Sequence, residues 1–193
     1  MVDRDLAGLV AVVDLDATVW LPEVYTLRGR PEGWLPTLGE DVRVLPGAQR
    51  ALDALIERGA RVAVASRSSQ PAYSVALCHQ VRVADGRSLA QVCGDGGLQI
   101  YAGDKQAHVR RIVEAFGCAF GDVLFFDDAR DGRYGNCVRV SELGCLAVHT
   151  PGGLDEERLA AGLAARASGA RGVVVEAAAA ARPPPPPGGA ATL

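Results

Sequence analysis

VVDLDATVW, residues 12–20, sets two aspartates two positions apart just where a buried apolar run ends. That run, Leu9 to Leu15, is apolar apart from Asp14 and has the pattern of a parallel strand covered on both faces. Two readings compete for the acids at its end. A D-x-D-x-T at a strand end can belong to a phosphoryl-transfer site, or it can be an ordinary acidic turn. Short motifs recur by chance, so this one does not decide alone.

Working outward, the same pattern repeats. Arg61 to Ala65 (RVAVA), Asp122 to Phe126 (DVLFF) and Cys145 to His149 (CLAVH) read as core strands, with a shorter one at Leu98 to Tyr101. Between them lie helical stretches. Leu45 to Arg58 has Pro46 at its start and Gly59 at its stop, with Leu52, Leu55 and Ile56 at helical spacing. Pro71 to Gln80 is a short helix. Asp104 to Phe116 comes next, with an apolar face of Ala107, Ile112, Val113 and Phe116 and a stop at Gly117. Another helix closes at Ser141 to Leu143 before Gly144, and Leu154 to Ala167 can form an alanine-rich one. Val81 to Gly97 is rich in glycine and polar residues and gives no clear period. Strands alternating with helices imply right-handed βαβ units. The expected class is α/β, a Rossmann-like central parallel sheet with helices on both faces. Ligands of such sheets sit beyond the carboxyl ends of the strands, at the switch in strand order. Asp14 and Asp16, Ser66 and Arg67, and Asp127 and Asp128 all fall at strand ends of that kind.

Three features give the acidic pair company. ASRSS ends its strand with Ser66 and Arg67, hydrogen-bond donors suited to phosphate oxygens; the plainer reading is a serine N-cap for the helix at Pro71. Lys105 sits in the first turn of its helix, where a cation opposes the macrodipole. That small cost makes sense if the ammonium faces an anion, while the plain reading is a solvated lysine. FFDD adds Asp127 and Asp128 at a buried strand end. With Asp14 and Asp16 nearby, up to four negative charges would crowd one site, which needs protons or a bound cation. An all-oxygen donor set selects a hard ion, and Mg²⁺ fits best.

In this order DLDATVW, ASRSS, YAGDK and FFDD resemble the haloacid dehalogenase-like (HAD) superfamily of phosphatases, and more narrowly the magnesium-dependent phosphatases. The resemblance covers about Leu9 to Thr150. It implies a three-layer HAD fold with a small flap, Leu21 to Val44, and no large cap domain. It also implies Mg²⁺-dependent hydrolysis of a phosphomonoester through an aspartyl-phosphate. In that scheme Asp14 is the nucleophile and Asp16 the acid and base. Mg²⁺ is held by Asp14, the Asp16 carbonyl and Asp128. Ser66 and Lys105 hold the phosphate, with Arg67 and the Leu15 amide close by, and Thr18 and Asp127 support the site. Departures are Ala17 between Asp16 and Thr18, Val19 for the usual leucine, and ARDGRYGN after FFDD where the pattern has E-x-R-N. Asp131 and Asn136 are the candidates to fill the resulting gap.

The implied substrates are a phosphorylated metabolite, such as a sugar or fructosamine phosphate, or a phosphoprotein side chain, with protein tyrosine phosphatase activity among the family's properties. Trp20, Tyr25, Arg28, Arg30 and Trp34 are candidates for the leaving-group surface, and the two tryptophans equally for packing the flap. Alternatives are a phosphoserine or phosphothreonine protein phosphatase of the same superfamily, an inactive HAD-like binding scaffold, and a phospho-acceptor receiver. The intact acids and lysine argue against the scaffold, and Asp16 argues against the receiver.

Composition sets the outer bounds. A net charge of −3 over 193 residues with no long basic run argues against nucleic-acid binding. No span approaches the roughly 20 apolar residues of a membrane helix, and the N-terminus has no signal-peptide run. The expectation is a soluble, cytoplasmic protein. Five cysteines without a CxxC predict buried thiols rather than a disulfide framework. The three histidines are expected at helix surfaces or strand ends. One phosphatase domain over residues 1–168, with its motifs in 9–150, is expected to precede an Ala/Pro-rich disordered tail at 169–193. The proline run of that tail is a candidate for binding a proline-recognition partner, though a solvated low-complexity end is the favoured reading.

Overall fold

Only a strand with neighbours on both edges and helices on both faces can be apolar throughout, and Val10–Val13 (β1) is fully buried along its whole length. The structure, a computed structural model, describes residues 5–176. After β1 come a two-stranded antiparallel flap, β2 (Trp20–Leu21) and β3 (Arg43–Val44), then α1 (Pro46–Glu57) and β4 (Arg61–Ser66). Next are α2 (Pro71–Gln80), α3 (Leu89–Cys93), β5 (Leu98–Ile100) and α4 (Lys105–Phe116). The chain continues through β6 (Val123–Asp127), α5 (Asn136–Ser141), β7 (Leu146–His149), α6 (Glu156–Ala167) and β8 (Val174–Glu176).

The main sheet runs β5-β4-β1-β6-β7-β8 and is parallel throughout. Setting aside the two flap strands, this is the doubly wound order 3-2-1-4-5-6, with its switch point between β1 and β6. Register places the ends of those two strands together: Val13 lies opposite Phe126, and the Asp14 amide donates to the Phe126 carbonyl at 2.9 Å. Side chains alternate across the sheet. Ala11, Val13, Val62, Val64, Leu124 and Phe126 pack under α1, α2, α3 and α6. Val10, Val12, Ala63, Ala65, Val123 and Phe125 pack under α4 and α5. The three layers and the small flap are those expected from the sequence.

Local chemistry explains the boundaries. α1 starts with Pro46 at its first position, where the missing N–H costs nothing, and buries Ala48, Ala51, Leu52 and Leu55. Cutting Leu52 to alanine would cost about 2–5 kcal/mol. α4 is capped by Asp104, whose carboxylate accepts from the Gln106 amide at 3.0 Å, and ends at Gly117 in the left-handed region, φ 58°. α6 lies close on the sheet at Gly162, where a Cβ would sit 2.8 Å from the Val148 side chain.

Three readings change. The buried face of α4 is Lys105, His108, Val109 and Ile112, while Ala107 is exposed. The stretch 81–97 contains α3, fixed by a reciprocal capping box between Ser88 and Gln91. The expected domain boundary at residue 169 falls ahead of β8, a three-residue edge strand paired to β7. The rest of the expected tail, from residue 177, lies outside the described residues, as do residues 1–4. Among the described residues no helix is long and apolar enough to cross a membrane. All five cysteines are free, and four of them are buried.

Candidate active site

The turn after β1 aims the first two acids. Ala17 takes φ 58°, a conformation rare outside glycine, and folds the chain so that the Val19 and Trp20 amides both reach the Leu15 carbonyl. Asp14 emerges at the strand end with its side chain almost enclosed. Asp16 points the same way, and its Oδ1 accepts both from Trp20 Nε1 at 2.8 Å and from the Val24 amide at 3.1 Å. Both bonds fall on one oxygen, so Oδ2 is the free edge. Trp20 is fully buried. It holds Asp16 in place, and of the two readings given for it the packing one applies rather than the leaving-group surface. Trp34 packs edge-on against Tyr73 instead, with Arg30 over its ring.

Lys105 is the centre of the site. It is 1% exposed, and its three donors are all used: Asp14 Oδ1 at 2.6 Å, Asp127 Oδ2 at 2.9 Å and the Ala65 carbonyl at 2.5 Å. Burial alone would lower the pKa of the ammonium, but Asp127 and Asp14 together outweigh that and hold it above the ordinary value. Asp127 is saturated. Besides Lys105, its carboxylate accepts from Asn136 Nδ2 at 2.9 and 3.1 Å and from the Ala129 amide at 2.9 Å. Asn136, the first residue of α5, is thus the one of the two candidates that reaches the cluster. Asp131 pairs with Arg130 on the surface.

Asp128 points the other way, into the pocket. Its backbone is clamped at both ends: its amide donates to Thr18 Oγ1 at 3.1 Å, and its carbonyl meets His149 Nε2 at 3.0 Å. Thr18 is fully buried against Thr150. His149 is in turn held by Glu176 of β8 at 2.8 Å. Ser66 is buried at the end of β4, and its Oγ accepts from the Ser68 amide at 3.3 Å. The N-cap of α2 is Gln70, without a side-chain bond, so the serines are not helix caps. Arg67 leans over Tyr134 and donates weakly to Asn136 at 3.4 Å. His108 departs from expectation: it is fully buried, stacked on Tyr101 and bonded to the Tyr101 and Asp104 carbonyls.

The pocket has a volume of about 530 Å³. Asp14 and Asp16 after β1, Ser66 and Arg67 at the end of β4, Asp128 after β6 and Lys105 at the start of α4 share it. Sequence reasoning missed Glu23 and Tyr134, which also line it; both stand on loops with no periodic signal. Electrostatics there is tense. Burial pushes Asp14 up to about 7, with Asp127 adding and Lys105 opposing. Burial raises Asp128 to about 6, helped by Asp127, and raises Asp16 against the pull of its two hydrogen bonds. Carboxylate oxygens of Asp14, Asp127 and Asp128 lie within 4.8 Å of one another. Oxygen donors this close suit a small hard cation. Since Asp127 has spent its lone pairs on Lys105, Asn136 and Ala129, Asp14 and Asp128 are the carboxylates with capacity to spare.

Comparison with known proteins agrees with the geometry. A family profile described as Acid Phosphatase matches residues 7–168. The chain is 31% identical over 160 residues to Magnesium-dependent phosphatase 1 of Homo sapiens, covering 80% of this chain and 84% of that one. An uncharacterized protein from Listeria monocytogenes serotype 4b superposes with a TM-score of 0.53 at 11% identity, over 73% of this chain and 77% of that one, a likeness of fold alone. A HAD family hydrolase from Deinococcus radiodurans R1, solved with bound phosphate and sodium, reaches a TM-score of 0.45 at 14% identity over 84% and 97% of the two chains, too weak a likeness to argue from.

Proposed function

The chain belongs to the acid phosphatase family, and from that premise we propose that it is a Mg²⁺-dependent phosphatase that hydrolyses phosphomonoesters by way of a phosphorylated Asp14. The observation that carries this reading is the division of labour around one pocket: Asp14 beside a buried ammonium, and Asp16 turned to the same space with one oxygen locked and the other free.

Asp14 attacks the phosphorus in line, and its bond to Lys105 fixes the attacking carboxylate. Asp16 carries a proton more readily than a surface aspartate because it is largely buried. It gives that proton to the leaving oxygen and later takes one from the water that hydrolyses the acyl phosphate. Ser66 and Arg67 would hold the transferring phosphoryl oxygens, with the Leu15 amide close by and Lys105 balancing charge beneath them. Asp14, Asp128 and the Asp16 carbonyl would hold Mg²⁺, which when bound neutralises charge on the phosphoryl oxygens. Thr18 and Asp127 hold Asp128 and Lys105 in place.

The substrate reading is an aryl phosphate of the phosphotyrosine kind or a sugar or fructosamine phosphate. The flap is small and the pocket open, and Tyr25 and Tyr134 stand exposed at its mouth. The test is hydrolysis of phenyl phosphate with and without Mg²⁺, then a panel of phosphosugars and of phosphotyrosine, phosphoserine and phosphothreonine peptides. Turnover that requires Mg²⁺ and falls to background in Asp14→Asn is expected. Activity that survives both chelation and Asp14→Asn would contradict the mechanism, and a preference for phosphoserine peptides would favour the protein-phosphatase alternative.

A further inference from the structure

Beside the pocket lies a second cavity of about 130 Å³, several times the space one water needs. It shares Arg67 and Asn136 with the first, so the two are contiguous. Three guanidiniums line it: Arg67 after β4, Arg133 from the turn after β6, and Arg139 from α5. One carboxylate, Asp104, faces them, and Arg139 engages it. Arg67 and Arg133 have no carboxylate partner among the described residues. Both are held over one ring instead, with their guanidinium carbons 5.2 and 5.5 Å from the centre of Tyr134. Two like charges brought to one exposed tyrosine repel each other, and an anion between them would relieve the repulsion.

We propose that this cavity is a second anion subsite and that the preferred substrate is a phosphomonoester carrying another anionic group, a carboxylate or a second phosphate. This rests on the phosphatase reading and narrows its substrate. Guanidinium forks match the paired oxygens of either group, which a lysine does not. The reacting phosphate occupies the pocket over Asp14, and the second anion extends past Arg67 toward Arg133. Arg133 and Tyr134 belong to ARDGRYGN, the stretch in which this chain departs from the E-x-R-N of the family pattern. The subsite is therefore a property of this chain's own loop.

The experiment compares kcat/KM for phenyl phosphate, 3- and 4-carboxyphenyl phosphate and a series of short alkanediol bisphosphates, in the wild type and in Arg133→Gln, an exposed position where a polar exchange costs little stability. At least one substrate with a second anionic group is expected to exceed phenyl phosphate by about tenfold, mostly through KM. The preference should shrink with added salt. In Arg133→Gln it should vanish while phenyl phosphate turnover stays unchanged, and Arg133→Lys should restore only part of it. Equal kcat/KM across the series, or a preference that survives Arg133→Gln, would overturn the subsite while leaving the phosphatase reading in place. No turnover of any member of the series by the wild type would overturn that reading, and the subsite with it.

Discussion

The floor and the rim of the pocket are built by different rules. On the floor, Lys105, Asp14, Asp127 and Asn136 come from four parts of the chain and are all buried, with every donor of Lys105 and every acceptor of Asp127 engaged. On the rim, Tyr25, Arg133 and Tyr134 are exposed residues on loops, held by ring contacts rather than by buried bonds. A buried polar network is stable only when complete. A rim of solvated side chains tolerates exchange. Chemistry and stability are therefore tied together on the floor, and selectivity is free to vary on the rim.

The sharpest way to break this contrast is Lys105→Met. It leaves Asp14 and Asp127 facing each other without a counter-charge, and breaking a buried pair costs about 3–5 kcal/mol. Urea unfolding should show that loss, and aryl phosphatase activity should disappear with it. Near-wild-type stability would mean that the floor is not a single network. Trp20→Phe should do less. It removes the 2.8 Å bond that orients Asp16, so kcat should fall about 10- to 100-fold, with a stability change of about 1 kcal/mol for one hydrogen bond. An unchanged kcat would show that Asp16 needs no such orientation.

Proton competition sharpens the same point. In the metal-free protein Asp14 is raised to about 7 and Asp128 to about 6, both above the ordinary carboxylate value. The folded chain therefore holds extra protons across that window, and its metal-free stability should fall as pH rises from about 4 to about 7. Mg²⁺ must displace those protons, so its affinity should climb as pH rises from about 5.5 to about 7.5. Calorimetric titration at a series of pH values measures both the affinity and the proton release. The smallest effect is expected at the rim: Tyr25→Ala should change stability by no more than about 0.5 kcal/mol and alter only KM.

The floor was legible in the sequence because its acids sit at strand ends, and strand ends are marked by where apolar runs stop. Val10–Val13, Arg61–Ser66 and Val123–Asp127 each announce an acid, a serine or a second acid pair at the sheet edge. Lys105 was visible as a cation misplaced at a helix start, but not as a buried one, since nothing in YAGDK shows that its side chain turns inward under Asp14. Of the rim, only Tyr25 was legible. Glu23 and Tyr134 stand on short turns of 3₁₀ type, which carry no period to read. Trp20 stayed open between two readings because an indole suits a leaving-group wall as well as a core, and only the fold shows its Nε1 meeting Asp16. β8 was lost in the alanine-rich stretch because three residues on a sheet edge give no pattern of their own. Its contribution is indirect: Glu176 holds His149, and His149 holds the Asp128 carbonyl.

The central claim is that Asp14 takes the phosphoryl group. Acid quench of the enzyme during Mg²⁺-dependent turnover of phenyl phosphate, with peptide mass mapping of the quenched protein, tests it directly. A phosphoryl increment is expected on the peptide at Asp14, lost in Asp14→Asn together with activity. A phosphoryl group found on another residue, or turnover undiminished in Asp14→Asn, would contradict the claim.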